Sequence, residues 1–521
     1  MSNAKPFLCF SLPVLLYAMA VAVMFLCVRG YDFNAGDQAE HLPLVYKAMD
    51  SSLYTHDYFV TASEQTFTVR YMYVHVVTFF SRLMGVPAAV FLLTLICLMM
   101  SAWAFWAIAY MLSGNCIAGY LAPWMVMFVF YNYFSLGTDL IQGNMLVSGS
   151  FGLALSAVSI ALFLMKKFRI AFFILGIAGL FHVMFSFNLF LLLFVGYLFF
   201  YRSKHEWILL LCIYLVVSVS VLLPVVLRQT SEAYIYDKDL YYQIQFVFRN
   251  YHHFMPSLFK TSHYIKFFGL TFTGVILLLF LPVRDKKFVF YFYAMVIFGF
   301  AVYALCLEVL GWMFAGKTQW PKGTTIWASM FSAILFSIAK AEVLTRWIRF
   351  GNNRIIIALS SIIVFVFGIA VITQHIVLPN HYAARYKVGN YPKDTLYNMH
   401  SWIRENTPVD AVFLVPATND RFGCEAKRSA ITGYRAIVHE PFFIMPWFET
   451  FCLVYHVTLN DGLQQNVYDI LDYRYHTFNV KSQSEHELHI DFRLVDMSKC
   501  KYLDELGNPL HVEGSWGLYA Y

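Results

Sequence analysis

The sequence predicts a mostly α-helical, polytopic membrane protein that ends in a small α/β domain. Three observations carry this prediction. Of 521 residues, 60% are hydrophobic and only 13% are charged, against roughly 25% charged in soluble domains. Several apolar runs reach the ~20 residues that a helix needs to cross a bilayer. Beyond residue 378 the pattern changes to short helical and strand-like runs over 379–521, an ordinary domain size. The net charge of +6 is modest. It is unevenly placed, so it bears on orientation in the membrane, and no nucleic-acid partner is expected.

The first segment, "KPFLCFSLPVLLYAMAVAVMFLCV", is too long for the apolar core of a signal peptide and lacks a small-residue cleavage site. It is expected to be a retained helix. About eleven spans follow from the hydropathy, near 7–28, 86–112, 117–134, 145–165, 169–182, 184–201, 207–227, 265–282, 288–311, 324–341 and 354–377. With the N-terminus inside, the turns Lys166–Arg169, Arg202–Glu206, Arg284–Lys287 and Lys340–Arg354 all fall on the cytoplasmic side, as the positive-inside rule requires. The first outer loop is then 29–85. Its end, "YMYVHVVTFFSRLMG" (71–85), is too short to span and carries His75 and Arg82, which suits an interfacial helix. The transmembrane domain is expected over 1–378 and an extracytoplasmic α/β domain over 379–521. In that tail, 392–408 reads as a helix bounded by prolines, 461–478 as a second helix, and 411–417, 487–496 and 516–521 as strands. Six of the nine cysteines lie in or beside apolar runs, and no CxxC spacing occurs, so neither a zinc site nor a redox motif is expected.

This threading places the polar clusters on the outer face. The first loop carries Asp37, Glu40 and His41, then His56 and Asp57. Asp139 and Gln142 lie in the next outer turn, and His182 at the tip of a short hairpin. "FRNYHHFMPSLF" brings Arg249, His252 and His253. "GKTQWPKGTT" brings Lys317, Gln319 and Lys322. The tail adds Arg421, Lys427, Arg428 and Arg435. Each has a plainer reading. Loop acids solvate a connection, Asp57 is placed to cap the next helix, and lysines snorkel. Lys317 and Lys322, however, sit outside, against the positive-inside bias. Together the clusters suit transfer from a lipid-linked donor. A carboxylate at the surface serves as a general base for an acceptor hydroxyl, and cations hold a phosphate leaving group.

The motifs "DQAEH", "RNYHHFMP", "TQWPK" and "RFGCEAKRSAITGYR", with the span count and the outer tail, make the chain resemble the C-type glycosyltransferase superfamily (GT-C), in an uncharacterised bacterial branch. Lys322 stands where that pattern has an arginine. The resemblance implies a polyprenyl-phosphate-linked sugar donor and a lipid, glycan or protein acceptor. It implies Asp37 as catalytic base with Glu40 as helper. His41, Arg249, His252, His253, Lys317, Gln319, Lys322, Arg421, Arg428 and Arg435 would bind substrate or lipid phosphate. The resemblance fixes no cofactor, and a divalent cation (Mg or Mn) is an open addition through Asp37, Glu40 and a histidine. The expected location is a bacterial inner membrane, with the N-terminus cytoplasmic and the tail periplasmic. Two other functions fit the residues less well. A polysaccharide polymerase or ligase would act on lipid-pyrophosphate-linked glycans. A transporter or flippase would show repeated halves and mid-membrane charges, and neither is evident.

Overall fold

The computed structural model describes residues 6–34, 36–66, 68–130, 135–137, 143–201, 206–231, 236–347, 354–372, 394–463, 466–479 and 488–521. Asp139 and Gln142 lie outside these. The chain is mostly helical and forms two compact units. The first comprises Met1–Tyr31, Phe91–Leu227 and His252–Val388. The second comprises Asp32–Val90, Arg228–Tyr251 and Gly389–Tyr521. The first loop and 228–251 therefore group with the tail, whereas the sequence places them with the helical region.

Among the described residues six helices are long and apolar enough to cross a membrane: Leu12–Arg29, Val86–Ser113, Val183–Phe200, Thr261–Phe280, Lys286–Val309 and Trp320–Thr345. The expectation of about eleven full spans is corrected by their neighbours. Cys116–Val129, Ser148–Leu164 and Phe168–Phe181 are apolar helices but shorter, while Glu206–Ser231 and Arg354–Ile372 are longer helices. At 1.5 Å per residue, a helix of 14 residues rises only about 21 Å, short of the ~30 Å of hydrocarbon. Hydropathy registers apolar length and does not see where a helix stops.

In the first unit, the helix Trp320–Trp347 packs against Cys116–Trp124, Val183–Phe200, Thr261–Phe280 and Lys286–Ala304. It carries hydroxyls through an apolar setting because each bonds back one turn. Thr325 Oγ1 donates to the Pro321 carbonyl at 2.7 Å, and Ser337 Oγ to Ala333 at 3.0 Å, so no hydroxyl proton is left in hydrocarbon. The unit has two chemically different ends. At one, Lys166 pairs with Asp285 at 2.7 Å and Arg169 with Glu206 at 3.4 Å. At the opposite end of Lys286–Val309, the Ser257 amide donates to Glu308 at 2.8 Å.

The second unit is built on a five-stranded sheet: β1 (Val412–Leu414), β2 (Ser429–Ala430), β3 (Phe492–Asp496), β4 (His511–Glu513) and β5 (Trp516–Ala520). The order is β2-β1-β3-β5-β4, with β1 parallel to both β2 and β3 and the remaining pairs antiparallel. The helix Thr395–Asn406 lays Met399 and Ile403 on a core that includes Phe413, Val415, Leu494 and Leu518. Asp394 starts this helix, its carboxylate accepting the Tyr397 amide at 2.7 Å, an N-cap worth about 1 kcal/mol. The expected first loop is three helices, Gln38–Met49, Tyr58–Gln65 and Tyr71–Met84. The last buries Tyr73, Val77 and Ser81 and exposes Phe79 and Leu83, an amphipathic pattern that suits the interfacial reading.

Candidate functional site

The helix Gln38–Met49 begins at Asp37, so Asp37, Glu40 and His41 fall within its first turn. Residues three and four apart share a helix face, yet the three meet different surroundings. Asp37 keeps 62% of its side chain exposed and pairs with Arg435 at 3.1 Å. Glu40 is buried, bonded to Arg70 Nη2, with Arg249 Nη2 at 4.0 Å. Burial pushes the Glu40 carboxyl above its ordinary value, and Arg70 pulls it back. His41 Nδ1 lies 2.7 Å from the Asp37 carbonyl. A carbonyl only accepts, so the proton sits on Nδ1 and Nε2 is the basic nitrogen. Burial, then the Arg70 charge, lowers the His41 pKa to about 4, so the ring is neutral at physiological pH.

The segments after β1 and β2 supply Asp420 and Arg435 to this cluster. Arg435 Nε donates to Asp420 Oδ2 at 2.6 Å while its Nη1 reaches Asp37. One guanidinium thus joins two carboxylates, Asp37 and Asp420, that lie far apart in the sequence and meet only in the fold. Burial raises the Asp420 pKa to about 6 against the pull of Arg435. Arg249 lies over the Tyr434 ring at 4.5 Å and Arg435 over Tyr468 at 5.4 Å, contacts that orient each planar cation. A cavity of about 80 Å³ opens beside Asp420 and Arg435, with Asp57, Asn419, Thr432 and Trp447 among its lining residues.

The remaining expected site residues fall elsewhere. Arg421 pairs with Asp394 at 2.7 Å and with buried Glu425 at 2.8 Å. Arg428 donates to the Arg404 and Thr407 carbonyls at 2.7 and 2.8 Å, which closes the C-terminal end of Thr395–Asn406. Both have structural employment. His252, His253, Lys317, Gln319 and Lys322 belong to the first unit. There His253 Nδ1 meets the Gly137 carbonyl at 2.7 Å, and the two histidine rings lie 4.0 Å apart. A Cβ on Gly137, whose φ is +73°, would press on the His253 carbonyl and the Lys322 amide at 3.1 and 3.2 Å, so the glycine lets His253 and Lys322 approach one turn. Gln319 takes a left-handed conformation between two helices, and Lys317 ends the helix Met313–Thr318.

Residues 394–454 match a family model described as a domain of unknown function (DUF6798). No curated protein matches the chain. The matched segment contains the Arg421–Glu425 pair, Asp420, Thr432 and Arg435. Sequence reasoning missed Arg70, Asp420, Tyr434 and Tyr468. Asp420 stands one residue before a quoted motif, and Arg70 one residue before the interfacial helix, so proximity to those features is the signal that would have found them. As a cation site the acidic pair fits poorly. Asp37 and Glu40 each face a guanidinium, and His41 is tied to a backbone carbonyl. Among the described residues no three His, Cys, Asp or Glu side chains gather as metal ligands.

Proposed function

We propose that the chain is an integral-membrane glycosyltransferase of the GT-C type, moving a sugar from a polyprenyl-phosphate donor to an acceptor hydroxyl on the outer face. The observation that carries this reading is the Asp37–Arg435–Asp420 chain set beside the buried Glu40–Arg70 pair. It combines an exposed carboxylate with oriented cations, as the chemistry requires. Asp37 takes the proton of the acceptor hydroxyl. The acceptor oxygen bonds to the anomeric carbon as the bond to the phosphate oxygen breaks, and the lipid phosphate leaves with that electron pair. Arg249 and Arg435 are suited to the charge that develops on the phosphate. Glu40, paired with Arg70, positions the helix turn that carries Asp37.

The two ends of the first unit support an orientation in a bacterial inner membrane. Lys166 and Arg169 gather at the end assigned to the cytoplasm. His253 and Lys322 lie at the other end, which this reading assigns to the periplasm. The test is transfer from a panel of radiolabelled polyprenyl-phosphate sugars to native envelope lipids and glycans, with wild-type and Asp37→Asn proteins side by side. Transfer by the wild type that disappears in the variant is the expected result. Equal transfer by both proteins removes Asp37 from the mechanism, and no transfer by either sinks the reading.

A further inference from the structure

Beside Asp420 the second unit holds the cavity of about 80 Å³. One water takes about 10–15 Å³ on this measure, so the space holds roughly five to eight waters, comparable to one pyranose ring. Its polar lining is unusual in being incomplete. Thr432 is only 7% exposed, and its Oγ1 has no partner among the described residues. Asn419 Oδ1 is likewise buried and unpartnered. The orientation of that amide follows from its neighbours. His400 Nδ1 donates to Glu425 at 2.8 Å, so His400 Nε2 is an acceptor and must receive the Asn419 Nδ2 proton at 3.1 Å. That leaves the oxygen as the unpaired atom. Asp420 uses Oδ2 on Arg435. Each buried polar atom left without a partner costs about 1–3 kcal/mol, so a ligand that reaches these two atoms of the lining residues is favoured.

The chemistry selects which ligand. Asn419 Oδ1 and the Asp420 carboxylate only accept, so the ligand must bring donors, and Thr432 takes or gives. An anion is disfavoured by Asp420 and by Asp57, which also lines the cavity. A cation gains little, because Arg435 already neutralises Asp420. A lipid chain would leave every one of these atoms unpaired. A ring bearing several adjacent hydroxyls satisfies them together. The apolar side of the cavity suits such a ring as well. Tyr58 stacks on Phe443 at 4.7 Å, and Trp447, its Nε1 donated to the Gly433 carbonyl at 3.1 Å, offers ring surface. Asp57 is not part of the grip, since its oxygens accept the Val60 and Ala430 amides at 3.0 and 3.3 Å.

We infer that this cavity is the acceptor subsite and that it takes a single sugar ring of a glycan, held by Thr432, Asn419 and Asp420. The acceptor role rests on the transferase reading above, while the binding of a ring does not. Asp420 and Asp37 share the Arg435 guanidinium, so a ring held at Asp420 has its hydroxyls one side chain away from the base.

The experiment measures binding of a panel of methyl glycosides by saturation-transfer NMR. The full-length protein is held in lipid nanodiscs, so that no glycoside detergent competes. Thr432→Val and Asp420→Asn are run beside the wild type. Thr432→Val keeps the side-chain volume and removes an atom that has no partner among the described residues, so its thermal midpoint should match the wild type. At least one glycoside should bind the wild type in the millimolar range, and Thr432→Val should weaken it about tenfold, the worth of one good hydrogen bond. Binding to none of the panel, or binding that both variants leave unchanged, overturns the inference. Transfer to a lipid or peptide hydroxyl by such a protein would show that the transferase reading stands without it. Variant-sensitive ring binding with no transfer from any donor would do the reverse, removing the acceptor role and keeping the ring site.

Discussion

Two buried glutamates of the second unit, Glu425 and Glu40, have opposite economies of charge. Glu425 is fully buried and surrounded by partners. Arg421 Nε and Asn34 Nδ2 reach its Oε1 at 2.8 and 2.9 Å, and His400 Nδ1 reaches Oε2 at 2.8 Å. Arg421 is in turn held by Asp394, the cap of Thr395–Asn406. Around Glu425 the network is closed, since each of its carboxylate oxygens is bonded to a neighbouring side chain. Glu40 is nearly as buried, but the cations around it are not exhausted by it. Arg249 stands 4.0 Å away, with its Nε unpartnered among the described residues, and the neighbouring Arg435 links Asp37 to Asp420. A closed network holds a fold together, whereas one with unused hydrogen-bonding capacity can meet a substrate. The contrast separates arginines that the sequence presents as one series.

The largest expected effect lies on the open side. Asp37→Asn should lower transfer about 10²–10⁴-fold, the usual weight of a general base. It should barely move the thermal midpoint, because an exposed ion pair is worth about 0–1 kcal/mol. A variant that unfolds while losing activity would place Asp37 in the structural class and break the comparison. Glu425→Ala should invert this pattern. Removing one partner from a buried, charged network costs about 3–5 kcal/mol, so the protein should melt early or fail to accumulate. Full stability in that variant would deny the closed network its role.

The difference also bears on what the sequence made legible. Helicity, the apolar runs, the tail helix at Thr395–Asn406 and strands β1, β3 and β5 were all readable, because each is a local pattern of period and caps. The number of long helices was not, since helix ends within an apolar run leave no hydropathy signal. β2, two residues long, and the apolar helix Pro441–Tyr455 were missed for related reasons. The one is too short to show alternation, and the other is hidden among aromatic residues. Among site residues, Asp37, Glu40, His41, Arg249 and Arg435 do come together in one unit. Arg421 and Arg428 stand beside Arg435 in sequence but bond to the ends of Thr395–Asn406, and only three-dimensional placement tells these cases apart.

A third effect concerns pH. Burial raises the Asp420 pKa to about 6, against about 3.9 in the unfolded chain. Between these values the folded state binds the proton and the unfolded state does not. Asp420 therefore favours folding below about pH 4, and that contribution is lost as pH rises through 6. The shift corresponds to a change on the order of 3 kcal/mol. Asp57, raised to about 6 by burial, acts in the same direction. Urea denaturation of wild type and Asp420→Asn between pH 4 and 7 measures the difference directly. The variant should lose part of the decline in stability with rising pH. An unchanged slope would mean that Asp420 is already ionised in this range and as well solvated as Asp37.

The smallest effect refines the closed side. Arg428 donates from Nη2 to two carbonyls and from Nε to Thr407 Oγ1 at 3.2 Å, a grip that uses the planar fork and does not depend on a facing carboxylate. Arg428→Lys preserves the charge and loses the fork. It leaves at least one of the terminal carbonyls of Thr395–Asn406 without its donor. Net hydrogen bonds are worth about 1 kcal/mol each, so the unfolding free energy should fall by roughly 1–2 kcal/mol, with transfer activity retained in the folded protein. A lysine variant as stable as the wild type would show that water replaces the fork at this helix end. A folded lysine variant that loses transfer would move Arg428 from the closed network to the open one, because only contact with substrate distinguishes the two cations once the fold is intact.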